Sequence, residues 1–259
     1  MKIVGFSQLH NEKEKGNLEN WFRCMNSICD KIYIYDQAST DGSIEFYKTQ
    51  NKARVIYSDI NNFNNEIRCK KILLETLLRE QSDVDWIFWM DGDTIIEKKG
   101  LSRENLVSML RFFQEREIDG LRLGHYNLWR SRCHYRVDDG YHSIHDRGVM
   151  SFWKNNGKLK FPETQGLHHQ QFPEGIDNPV RTNLNLLHMG FATDYQIIKK
   201  YNVYKERGQK GWALDRLLSE KTLTVEKINK KIIPNWIDLS EEVDPLQLKK
   251  IREIYDENK

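Results

Sequence analysis

The sequence predicts an α/β protein: a doubly wound, mostly parallel central sheet flanked by helices, with a helical extension at the C-terminal end. Three observations carry that reading. Short apolar runs alternate with helix-spaced segments from Lys2 to Met90, the pattern of parallel strands joined by crossover helices. Val84–Met90 is an unbroken run of bulky residues, too short to cross a membrane and suited to a strand buried on both faces. Polar side chains follow three of the strand-like runs: His10-Asn11-Glu12, Asp36 and Asp91-Gly92-Asp93. In an open α/β sheet such loops gather on one edge, which is where ligands bind.

Taken in order, Lys2–Phe6 is the first strand. Leu18, Trp21, Phe22, Met25, Ile28 and Cys29 follow at helical spacing, so one helix face packs on the sheet. Lys31–Asp36 is the second strand, and Gln37–Ser43 has turn chemistry leading into a short helix at Ile44–Gln50. Ala53–Tyr57 is the third strand and Glu66–Glu80 a helix with Ile67, Leu74, Leu77 and Leu78 inward. After Val84–Met90 the pattern loosens. Arg103–Glu117 reads as a helix, Asp119–Leu123 as a strand, and Tyr126–Arg147 as a long functional loop rich in aromatic and charged residues. Val149–Trp153 and Lys158–Phe161 are expected to pair as a hairpin turned at Asn155-Asn156-Gly157, and Asn183–Leu187 to form a strand running into His188-Met189-Gly190. This divides the chain into a main domain at 1–192, with halves 1–98 and 99–192, and an extension at 193–259 broken at Pro234 and Pro245.

The 259 residues suffice for one large domain with a sizeable core, and a net charge of +2 argues against a nucleic-acid partner. Cys24, Cys29, Cys69 and Cys133 form no C-x-x-C pair and read as reduced thiols rather than a zinc site or disulfide framework. With no signal peptide and no long apolar run, a cytoplasmic protein is expected. Peripheral contact with the inner membrane surface is the most that the basic stretch Lys199, Lys200, Lys205, Arg207 and Lys210 suggests, and a solvated helix face is its plainer reading. Neither G-x-G-x-x-G nor a Walker A loop is present, which argues against a Rossmann dinucleotide site and a P-loop. Asp91-Gly92-Asp93 suits either a hard divalent cation that also meets phosphate oxygens or a simple D-G turn.

In their order these loops resemble the family 2 glycosyltransferases, nucleotide-sugar-dependent enzymes of the GT-A fold. The resemblance rests on Asn11-Glu12 after the first strand and on Asp36-Gln37-Ala38-Ser39-Thr40-Asp41-Gly42-Ser43, which follows the D-x-x-S-T-D-G-S pattern. Asn62–Arg68 is a looser match, with Asn62 where an aspartate usually stands. Asp91-Gly92-Asp93 matches the D-x-D motif and His188-Met189-Gly190 the late H-x-G. Gly157–Phe161 fits a G-K-x-K-F hairpin, whereas His169 stands where a glutamate is expected. The similarity covers roughly residues 1–205.

What it implies is a metal-dependent transferase moving a sugar from a nucleotide-diphosphate donor, a UDP-sugar by preference, to a hydroxyl of a glycan or other acceptor, with inversion. The 1–98 half would bind the donor and the 99–192 half the acceptor. Asn11, Glu12, Asp36, Arg68 and Asp91 would bind the nucleotide-sugar, Asp36 by accepting from a pyrimidine N–H. Asp93, with His188 and Asp91, would hold Mn²⁺ or Mg²⁺ to neutralise the departing diphosphate, the imidazole tilting the choice toward manganese. The plainer alternatives are that Asp36 and Asp41 cap the turn and that Arg68 pairs with Glu66 or Glu75 on the surface. Inversion needs a carboxylate base for the acceptor proton. Asp139 is favoured, then Asp138, with Glu163 a third candidate; Trp129, His168 and His169 are candidates for the acceptor site.

Competing readings are a nucleotidyltransferase, a non-catalytic nucleotide- or carbohydrate-binding module, and a metal-dependent hydrolase. The first should show a glycine-rich basic loop, which Ser7–Glu12 is not; the second should lose the Asp91/Asp93 pair; no H-x-H or H-E-x-x-H supports the third.

Overall fold

The computed structural model describes residues 1–62, 65–138, 148–163, 172–220 and 223–259. Its centre is an eight-stranded mixed sheet. The strands are β1 (Ile3–Leu9), β2 (Lys31–Gln37), β3 (Ala53–Ser58), β4 (Trp86–Trp89), β5 (Thr94–Ile96), β6 (Gly120–Asn127), β8 (Val149–Lys154) and β9 (Pro179–His188), in the order β3-β2-β1-β4-β8-β6-β9-β5. The four strands β3, β2, β1 and β4 run parallel, as do β6 and β9. β8 runs against both of its neighbours, and β5 runs against β9. A separate ribbon pairs β7 (His134–Arg136) with β10 (Val225–Lys227). The helices are α1 (Leu18–Ile28), α2 (Ser43–Lys48), α3 (Glu66–Glu80), α4 (Arg103–Gln114), α5 (Asp194–Glu206), α6 (Trp212–Asp215) and α7 (Ile251–Glu257). Among the described residues no helix is long and apolar enough to cross a membrane.

The sheet is covered on both faces. α1 turns Trp21, Phe22, Met25 and Ile28 onto one of them, each buried side chain contributing about 1.5–3 kcal/mol. α3 lays Ile67, Leu74 and Leu77 against the other, with Phe6 and Trp153 beneath. Because β4 lies between β1 and β8, its whole span Trp86–Trp89 is buried, which is why it reads as a continuous apolar run. A third cluster gathers Trp129, Ile197, Tyr201, Leu217 and Ile251 and docks the C-terminal segment onto the loop after β6. Buried Arg130 ties the same junction to Asp194 and Glu220.

Two expectations change here. Lys158–Phe161 does not return along β8 as a hairpin; β8 pairs with β4 and β6, and Lys160 bridges to Glu174. Asp91-Gly92-Asp93 is a turn but not a hairpin, since β5 beyond it leaves β4 and joins β9. The C-terminal segment carries, besides its helices, the strand β10, paired with β7 of the main domain.

Candidate active site

The loops after β1, β2 and β4 do converge. With α3 and α5 they enclose a cavity of about 420 Å³ whose lining includes His10, Asn11, Glu12, Gln37, Lys70, Asp91, Asp93, His188, Lys200, Tyr204 and Arg207. Volumes of about 300–1,000 Å³ are usual for small-molecule sites.

The residues of the S-T-D-G-S loop act mainly on backbone. The Asp36 carboxylate is fully buried and accepts from the Ser39 N–H at 2.9 Å and from the Ser39 hydroxyl at 2.6 Å. Asn11, at φ 51°, donates its N–H to Ser39 Oγ and accepts from the Thr40 N–H with its side chain. Asp41 accepts from the N–H groups of Ser43 and Glu14. Asp36 thus closes a turn and does not line the cavity, while its neighbour Gln37 does.

Glu12 is buried, with Oε1 2.6 Å from Lys15 Nζ and Oε2 3.3 Å from Asn17 Nδ2. Burial pushes its carboxyl up, against the pull of Lys15. Gly92 is needed for this approach: a Cβ there would lie 2.7 Å from Glu12 Cγ and Leu9 Cδ2. Water reaches Asp91 in the cavity, yet protein surrounds it; that desolvation, with the Asp93 charge beside it, pushes its carboxyl up to about 7. Burial alone would raise Asp93 too, but the His188 and Lys200 charges hold it well below the usual carboxylate range.

Asp93, His188 and Lys200 form a tight polar cluster in the cavity. Asp93 Oδ2 lies 3.2 Å from His188 Nε2 and 2.7 Å from Lys200 Nζ. His188 Nδ1 is 2.9 Å from Asn127 Oδ1, a contact that holds the ring with Nε2 toward the cluster. Lys200 Nζ is 3.3 Å from that Nε2 and 4.3 Å from the centre of the Phe191 ring. Burial would strip the proton from this lysine, but Asp93 reverses the effect and raises its pKa. Gly190 makes room for the cluster, because a side chain there would collide with Asp93 Oδ2, Lys200 Nζ and His188 Nε2.

This arrangement tests the expected metal site. Asp93 and His188 are close enough to share one ion, ligands at right angles about 2.1 Å from a metal being about 3 Å apart. The Lys200 ammonium, however, already lies 2.7 Å from Asp93 Oδ2 and 3.3 Å from His188 Nε2, and among the described residues no three His, Cys, Asp or Glu side chains are grouped to hold a metal. A divalent cation therefore does not fit beside Lys200 in this arrangement.

The other expected residues that the structure describes fall outside the cavity. Arg68 is exposed on α3; the same helix presents buried Lys70, 3.9 Å from Glu66 and 5.4 Å from the Trp89 ring centre. The sequence reading missed Lys70; it sits in phase with Ile67 and Leu74, and a charge on an apolar face is the signal that could have found it. Trp129 is fully buried in the C-terminal cluster with Arg136 stacked 4.3 Å above it, so its ring presents no face to an acceptor. Asp138 is buried and held by Arg136 through Nε at 2.7 Å and through Nη2, so it is engaged in an ion pair rather than poised over the cavity. Glu163 pairs with Lys71 on the surface. Asp139, His168 and His169 lie outside the described residues.

No protein-family model and no curated protein matches the sequence. Among solved structures the chain is similar to S. aureus TarS, at 13% identity over 85% of this chain and 42% of that one, with a TM-score of 0.48. It is similar to TarS 1–349, at 13% identity over 85% and 70% with a TM-score of 0.47, and to A197 from STIV, at 12% identity over 73% and 85% with a TM-score of 0.37. The chain thus spans 42% of TarS, and at these identities the likeness concerns chain path, not the role of any residue.

Proposed function

We propose that the protein is a glycosyltransferase of the family 2 kind, transferring a sugar with inversion from a nucleotide-diphosphate donor, a UDP-sugar by preference, to a hydroxyl acceptor on a glycan. The observation that carries this reading is the composition of the cavity at the C-terminal ends of β1, β2 and β4. There Asn11, Glu12, Gln37 and Asp91, suited to ribose and sugar hydroxyls, face Lys70, Lys200 and Arg207, suited to a diphosphate. The motif order of the sequence points to the same chemistry. In this reading the donor lies along the sheet edge with its diphosphate toward α5. Asp139 remains our candidate for the base, since the carboxylate of Asp138 is taken by Arg136.

The test is thermal stabilisation by UDP, GDP, dTDP and CMP, on the wild type and on Lys70→Met. A ligand at a hundred times its dissociation constant adds about 2.7 kcal/mol, a readily visible melting shift. A shift with one nucleoside diphosphate, reduced in the variant, supports the donor site; no shift with any nucleotide, with or without Mn²⁺, sinks it.

A further inference from the structure

We infer that Lys200 is the cation that neutralises the donor diphosphate, standing at Asp93 in the place where a divalent metal was expected; this rests on the donor reading above. The lysine is not a chance surface contact. It is enclosed by Asp93, His188 and the Phe191 ring, and Gly190 has no side chain to keep the three polar groups apart. The helix that carries it is pinned to the β1 loop: Lys199 Nζ is 2.6 Å from Glu14, and Gln196 Nε2 is 3.4 Å from the Lys15 carbonyl. Thr193 caps the start of that helix by accepting from the Gln196 N–H. An ammonium has three N–H donors. Asp93 accepts one of them at 2.7 Å, and another is assigned to a diphosphate oxygen. A divalent ion would have to displace a like charge already bound to the same carboxylate.

In the transfer, the acceptor oxygen bonds to the anomeric carbon as the bond from that carbon to the β-phosphate oxygen breaks. The electron pair of the broken bond stays on the nucleoside diphosphate, and the acceptor proton passes to a carboxylate base. Lys200 keeps its own proton and meets the charge growing on the leaving group.

Calorimetric binding of UDP, with GDP and dTDP alongside, tests this in EDTA and in Mn²⁺ on the wild type, Lys200→Met and Lys200→Arg. The wild type should bind equally well in both media. Lys200→Met should lose about 10–100-fold in EDTA, as expected for a charged hydrogen bond, and recover in Mn²⁺ because Asp93 and His188 can then share an ion. Lys200→Arg should retain most of the EDTA affinity. Mn²⁺ alone, followed by electron paramagnetic resonance, should bind Lys200→Met and not the wild type. Wild-type binding that requires Mn²⁺, or an unchanged EDTA affinity in Lys200→Met, overturns the inference and leaves the donor reading standing. No binding of any nucleoside diphosphate in either medium overturns the donor reading, and the inference falls with it. Should Lys200→Met fail to fold, the wild-type comparison of EDTA with Mn²⁺ and its Mn²⁺ titration decide between the same outcomes.

Discussion

Behind the sheet-edge wall of the cavity, Asp36 accepts two hydrogen bonds from Ser39, Asp41 holds the N–H groups of Ser43 and Glu14, and Asn11, which does line the cavity, clamps Thr40. On the facing wall, Lys200 and Tyr204 of α5 and the Arg207 that caps its C-terminal end turn into the open space, at the spacing of one helix face. The first wall carries the recognisable motif and spends much of it on shaping its own turns. The second carries no motif and supplies charge that a ligand would meet. Substitutions on the two walls should therefore be read by different measurements, stability for the first and binding for the second.

The largest effect should come from the first wall. Asp36→Ala leaves the Ser39 N–H and hydroxyl without their acceptor and should lower unfolding stability by about 3 kcal/mol in a urea titration. Asp36→Asn keeps one acceptor oxygen and should lose about 1 kcal/mol. A stable Asp36→Ala protein that no longer binds UDP would break the comparison, making Asp36 a nucleotide contact. The cationic side should behave the other way. Lys70→Met removes a buried cation whose charge burial disfavours, so unfolding stability should hold or rise. UDP affinity should fall about 10-fold, measured by calorimetry on the same preparation.

Asp91 sharpens the contrast through pH. Its carboxyl is pushed up to about 7 in the folded protein, so between about pH 4 and 7 the folded state holds a proton that the unfolded chain has lost. Stability therefore falls as pH rises through that window, when the carboxylate must ionise beside Asp93. Asp91→Asn escapes this. Its gain over the wild type should be absent near pH 4 and reach about 1 kcal/mol above pH 7, a figure discounted because water reaches the side chain. A gain independent of pH would mean that Asp91 ionises freely in the cavity.

Much of the sheet was legible because buried parallel strands make unbroken apolar runs and their crossover helices show a helical period; the span Glu66–Glu80 coincides with α3. Convergence of the strand-end loops followed from topology. Pairing in the second half was not legible. The apolar residues of Val149–Trp153 say that a strand exists but not that its partners are β4 and β6, and the three residues of β5 are too few to show a period. Lys200 was hidden for a related reason. It is one of several basic residues along α5, and only packing separates Lys199, which pairs with Glu14 outside, from Lys200, which pairs with Asp93 inside. Trp129 shows the opposite error: an aromatic in a polar loop is as ready to anchor a hydrophobic cluster as to stack on a sugar.

The smallest predicted effect is the most pointed, because it separates motif from geometry one residue at a time. Arg68 is the arginine that the resemblance assigns to the base or a phosphate, and Lys70 is two positions further along α3. Adjacent i and i+2 positions of a helix face different directions, and here Arg68 is exposed while Lys70 is buried at the cavity. Arg68→Ala should change UDP affinity less than about 2-fold and stability by less than about 0.5 kcal/mol, the usual range for an exposed site. If Arg68→Ala instead weakens UDP as much as Lys70→Met, then α3 engages the donor through its outer face. The α3 contribution to the cavity would then have to be rebuilt around the Asn62–Arg68 match rather than around Lys70.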